Sequence, residues 1–197
     1  DELKIETGYM RRIPTLKADA TADFKHIATN ESFKVQTPAK EELFANKWCT
    51  MLFRKTPRDL FDTYQITKMK FNHTTFRKCA IIEGLMQEKQ KLTETNIKNT
   101  INTIPIDASL KNLLQTETTP NYNFQKIKQQ VAEFTEQTLH NITANETKAI
   151  NQFFDNLKFD PTLIDDTNSL NNKIKQHPAI LRTPQKLNQR KNETQKP

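Results

Sequence analysis

Two proline-marked helix starts, Thr37-Pro38 and Thr56-Pro57, lie nineteen residues apart and most constrain what this chain can fold into. Thr37 is read as an N-cap with Pro38 at the first helical position. Thr56, Pro57 and Asp59 repeat the device, with an acid at the capping-box position. One helix is therefore expected from about 38 to 55 and a second from about 57 to 69. Phe44, Ala45, Trp48, Cys49, Met51, Leu52 and Phe53 cover more than half the circumference of the first, too wide a stripe for a surface helix. It is expected to be central. The remaining arc carries Asn46, Lys47, Thr50 and Arg54, with Lys47 and Arg54 about 10 Å apart along the axis. On the second helix Asp59 and Asp62 share a face opposite Leu60, Phe61 and Tyr64. The short connection at Lys55 and Thr56 forces two cations and two carboxylates into one neighbourhood.

Glycine is scarce. With only Gly8 and Gly84 in 197 residues, no glycine-rich phosphate loop can be drawn. A nucleotide's phosphates would have to be held by side chains. The charged fraction of 27% and hydrophobic fraction of 35% suit a polar globular protein. No run approaches the 18 or so apolar residues of a membrane span, and DELKIETGYM lacks the segments of a signal peptide, so a cytoplasmic location is expected. Cys49 and Cys79 stand in apolar surroundings without motif spacing and read as buried thiols. The four histidines are scattered and give no metal spacing or nucleophile partner.

Along the chain, residues 2 to 9 alternate as a strand, with Leu3, Ile5 and Thr7 on one side and Lys4, Glu6 and Gly8 on the other. Residues 18 to 27 are ambiguous, and Phe33 to Gln36 form a second short strand. From Asn72 onward the pattern is helical. One helix is marked by Phe76, Ala80, Ile81, Leu85 and Met86, with Asn72 or Thr74 as cap. Leu92 to Ile104 suggest the next, ending at Pro105, and Leu110, Leu113 and Leu114 a short one. Phe124, Ile127, Val131 and Phe134, then Ala149 to Leu157, give two more. Residues 173–197 hold seven basic residues against Glu193 alone, most of the chain's net charge of +7. Their end is expected to be disordered, either as solvated charge or as an arm for RNA phosphates.

Glu41-Glu42-Leu43 with Lys47, followed by Arg54-Lys55-Thr56-Pro57-Arg58-Asp59-Leu60-Phe61-Asp62, resembles the nucleotidyltransferase toxins of the AbiEii/AbiGii type. Lys4-Ile5-Glu6 resembles the family's lysine-x-acid strand motif. The family's Gly-Ser pair and following Asp-x-Asp do not occur in this sequence. The chain is therefore expected to begin partway through the ancestral fold.

The resemblance implies transfer of a nucleoside monophosphate from a nucleoside triphosphate to an RNA acceptor, tRNA or similar, with magnesium. Lys47, Asp59 and Glu6 would be the catalytic residues. Lys47 would face the phosphates, Asp59 would orient Lys47 or accept a proton, and Glu6 would lie close to the metal. Arg54, Lys4, Arg58 and Asp62 would be on the substrate side, with Arg58 and Asp62 paired at i and i+4. An antitoxin or an upstream chain supplying the Asp-x-Asp half is the implied partner. The expected architecture is α+β: a partial nucleotidyltransferase β element over residues 1–70, a helical domain over 71–182 and a basic tail over 183–197. The alternative function is a non-catalytic remnant or a helical module that binds RNA or a partner.

Overall fold

The structure is a computed structural model that describes residues 11–17, 20–26, 28–87, 97–106, 110, 114 and 122–194. Among them the architecture is α+β: an antiparallel hairpin followed by a helical body. The strand expected over residues 2–9 lies outside the described residues, as do Leu92 and Leu113.

Strands β1 (Ala20–Lys25) and β2 (Ser32–Thr37) pair in the register Ala20 to Thr37 through Lys25 to Ser32. Residues alternate across a pleat, so Ala20, Ala22 and Phe24 share one face with Phe33, Val35 and Thr37. Phe24 and Phe33 form a cross-strand aromatic pair at 5.0 Å, yet both remain exposed. The ambiguous stretch 18–27 thus contains a strand. Its periodicity is diluted because the apolar side of β1 consists of two alanines and one phenylalanine.

Helix α1 (Lys40–Arg54) follows β2 after two residues. Thr37 does not cap it. It belongs to β2, opposite Ala20, and the strand keeps it extended, so the helix starts three residues later with Ala39 as an N-cap lacking a side-chain hydrogen bond. Lys55 ends α1 in the left-handed region at φ 57°, and Thr56 opens α2 (Pro57–Thr67). Here the capping signal holds. The Asp59 N–H donates to Thr56 Oγ1 at 3.3 Å, and that hydroxyl donates to Asp59 Oδ2 at 2.7 Å.

Helix α3 (His73–Met86), capped by Asn72, is the most enclosed element. Residues 78–86 are buried on every side, whereas α1 exposes Leu43 and Lys47. The central helix is therefore α3, with α1 packed along it through Trp48, whose ring lies 5.9 Å from Phe76. Cys49 and Cys79 are free and buried, and desolvation pushes both thiols up.

The helical body continues through α4 (Ile97–Thr103), α5 (Phe124–His140), α6 (Ala144–Asn156) and α7 (Pro178–Thr194). Short 3-10 turns at Pro161–Leu163 and Ile174–Gln176 fill the link before α7. Trp48 reaches α5 as well, donating from Nε1 to Thr135 Oγ1 at 3.0 Å. One core runs from Leu16 through Trp48, Phe76, Val131 and Phe153 to Ile180.

Where composition predicts disorder over 183–197, the chain is helical to Thr194. Ile180 and Thr183 explain the difference. Both are buried, and Thr183 Oγ1 donates to the Met86 carbonyl at 3.4 Å, which docks the first turns of α7 on the end of α3. Composition registers the charge of a segment but not two inward positions one turn apart.

Candidate functional site

The site is built where α1 turns into α2. Lys47 Nζ donates to Asp62 Oδ2 at 2.8 Å, and Arg54 Nε approaches Asp59 Oδ2 at 3.6 Å. Sequence reasoning brought these four residues together, and the structure does so too. It distributes the pairs differently. Lys47 meets Asp62, not Asp59, and Asp62 is thereby taken from Arg58, which is exposed and forms no ion pair among the described residues.

The physical reason is distance from the turn. Arg54 is the last residue of α1 and reaches Asp59 in the first turn of α2. Lys47, about 10 Å further back, meets the acid one turn further along α2. Asp59 is also occupied by its own cap through Thr56.

The two pairs differ in environment. The Lys47 side chain is 51% exposed and that of Asp62 32%, so this ion pair is open to water. Asp59 is nearly buried, with the more exposed Arg54 guanidinium across its mouth. An open lysine held by a single carboxylate can exchange that partner for an arriving phosphate. A buried carboxylate bridging a hydroxyl and a guanidinium is a brace.

Lys4 and Glu6, assigned to the site by resemblance, lie outside the described residues. Among the described residues no group of three or more histidine, cysteine or acidic side chains could hold a metal ion. Asp59 and Asp62 are each already neutralised by a cation. The described residues thus do not fit a resident magnesium.

Around this site lie charges that sequence reasoning missed. Glu42 of the Glu-Glu-Leu motif points inward, where Oε1 accepts the Thr15 N–H at 2.9 Å and Oε2 the Leu16 N–H at 3.2 Å. Burial pushes its carboxyl up, and the two backbone donors offset part of that rise. Glu41 accepts the Asn72 N–H at 3.0 Å and ties α1 to the start of α3. The motif acids therefore clamp the chain segments on either side of α1.

Helix α3 carries two buried charges. Glu83 receives a bidentate pair from Arg11, with Arg11 Nη2 at 2.6 Å from Oε2, and accepts from Asn46 Nδ2 at 3.2 Å. Lys78, within the same helix, donates to Asp165, Asp166 and the Thr167 hydroxyl. Desolvation works against the Asp165 charge. The bonds from Leu170, Ser169 and Thr167 outweigh it and hold that carboxyl well below the usual carboxylate range. Their sequence signal was a lysine and a glutamate on either side of the run Cys79 to Ile82, where an outward-facing charge has no surface to reach.

A two-stranded hairpin feeding a helix pair that displays a lysine and an arginine beside two acids defines a class: an α+β protein with two ion pairs at a helix–helix turn. A family profile described as the nucleotidyl transferase AbiEii toxin of type IV toxin–antitoxin systems matches residues 1–171. The chain belongs to that family. It is a nucleotidyltransferase toxin family, which implies a nucleoside triphosphate substrate and an antitoxin partner. No curated protein and no solved structure gives a match. Among the described residues no helix is long and apolar enough to cross a membrane.

Proposed function

We propose that this chain binds a nucleoside triphosphate through Lys47 and transfers its nucleoside monophosphate to an RNA acceptor, a tRNA or tRNA-like end. The open Lys47–Asp62 pair carries this reading. A triphosphate brings several negative charges to one ammonium, so it competes favourably with a half-exposed carboxylate whose pairing is worth about 1 kcal/mol or less. Asp62 keeps the ammonium pointed outward until the phosphate arrives. Arg54, fixed by Asp59, presents a second cation from the same turn, and the exposed Arg58 is free to meet the acceptor's backbone.

Transfer needs positioning and charge neutralisation more than covalent chemistry from the protein. In this reading Lys47 and Arg54 hold the triphosphate in line. Asp59 serves as the brace of Arg54. Glu6 and Lys4, which lie outside the described residues, are the further site candidates that the family resemblance implies, Glu6 as a catalytic carboxylate and Lys4 on the substrate side. The basic residues of α7, Arg182 and Lys186 among them, add to an electrostatic surface for RNA.

The test is transfer itself. Wild type incubated with RNA and a triphosphate labelled at the α-phosphate is expected to label the RNA, and Lys47→Met is not. Equal labelling by both proteins, or none by wild type, contradicts the proposal.

A further inference from the structure

Against the N-terminal half of α1 the structure holds a cleft of about 490 Å³ that the ion pairs at the α1–α2 turn do not use. Its walls come from the segment before Thr15, the end of β2 and the first turns of α1, including Arg12, Pro14, Gln36, Leu43 and Asn46. Leu43 stands one helical turn before Lys47 and therefore on the same face, about 5–6 Å away between Cβ atoms. The cleft falls within the size range of small-ligand pockets.

Asn46 decides what this cleft prefers. Glu83 at its floor has no side-chain exposure and is bound in bidentate fashion by Arg11. An ionised carboxylate only accepts hydrogen bonds, so it fixes the Asn46 amide with its nitrogen toward Glu83, at 3.2 Å. The carbonyl Oδ1 must then point away. It has no hydrogen-bond partner among the described residues and is not one of the sealed, unpaired atoms of the interior, so water or a ligand reaches it. The Arg11–Glu83–Asn46 chain thus presents an oriented acceptor, flanked by the apolar surfaces of Leu43 and Pro14 on which a planar ring can lie.

We propose that this cleft seats the base of the nucleoside triphosphate and that Asn46 selects the 4-amino group of cytosine or the 6-amino group of adenine over a keto oxygen at the same position. The inference rests on the phosphate site read at Lys47. The amine of cytosine donates to Oδ1. In uracil a carbonyl oxygen takes that position, so two acceptors face each other and the hydrogen bond is lost.

Matched pairs test it. Binding of CTP against UTP, and ATP against inosine triphosphate, is measured calorimetrically for wild type, Asn46→Ala and Lys47→Met, with thermal unfolding of each. The expected result is that the amino member binds wild type about tenfold tighter, the effect of one good hydrogen bond. Asn46→Ala, which leaves the Arg11–Glu83 pair intact, is expected to stay folded and lose the preference. Equal binding of each pair to wild type overturns the inference, as does a preference that survives in Asn46→Ala. Equal binding that disappears in Lys47→Met would overturn base selection alone and leave the phosphate site standing. Absence of all binding to wild type would overturn both.

Discussion

At the scale of single residues, the chain shows how partner choice turns an ordinary lysine into a recognition group. Lys47 and Lys78 are both paired with aspartates, yet the first faces water and the second is enclosed within α3 and the 165–167 turn. Only the first can exchange its partner. His177 links stability to pH. It is buried, its Nδ1 accepts the Ala179 N–H at 3.1 Å, and burial, then the Arg11 guanidinium, push its pKa below the ordinary value, with Arg12 adding to this and Glu83 opposing it. A lowered folded-state pKa means that the unfolded chain binds the proton more readily. Stability is therefore complete above the unfolded value near 6.5 and is lost as pH falls below it. Unfolding midpoints are expected to drop between pH 7 and pH 5, and His177→Gln is expected to flatten that drop. A drop of the same size in the variant would remove His177 as its source. None of this was legible from a lone histidine before a proline, because the groups that shift it stand more than ninety residues away in the chain.

At the scale of elements, what could be read was local. Thr56 caps α2 because the cap, the proline and the acid are adjacent in sequence. The stripe of α5 and the capped start of α3 follow from spacing alone. Thr37 looked the same but failed, since tertiary pairing with Ala20 outranked a local signal. The partners of the buried charges of α3 were invisible because each is supplied from 37 to 89 residues away. The Lys78 link between α3 and the 165–170 turn yields a prediction at this scale. Leaving a buried ammonium short of a carboxylate is costly, and Asp165 also organises the turn through Thr167, Ser169 and Leu170. Asp165→Ala is expected to destabilise the protein by about 3 kcal/mol or more in denaturant unfolding. Asp160→Ala, which removes only the local bonds from the Thr162 N–H and hydroxyl, is expected to cost about 1 kcal/mol. Equal small losses would mean that the Lys78 network does not hold the turn.

At the scale of the whole molecule, one core connects the segment at Leu16 to α7, so the α1–α2 turn is mounted on a body that does not need the ion pairs of that turn to fold. The sequence carried the four residues of the site because they fall within sixteen positions. It did not carry their pairing, which depends on how far each stands from the helix turn. This separates the two meanings the site could have. If Lys47 and Asp62 existed to join helices, their loss would appear in stability; as a half-exposed pair they contribute about 1 kcal/mol or less. The most direct measurement is nucleoside triphosphate binding by wild type and Lys47→Met, together with their unfolding midpoints. Binding that disappears in Lys47→Met while the midpoint stays nearly constant is the predicted result. Undiminished binding, or a loss of several kcal/mol in stability with it, would contradict a phosphate-holding Lys47.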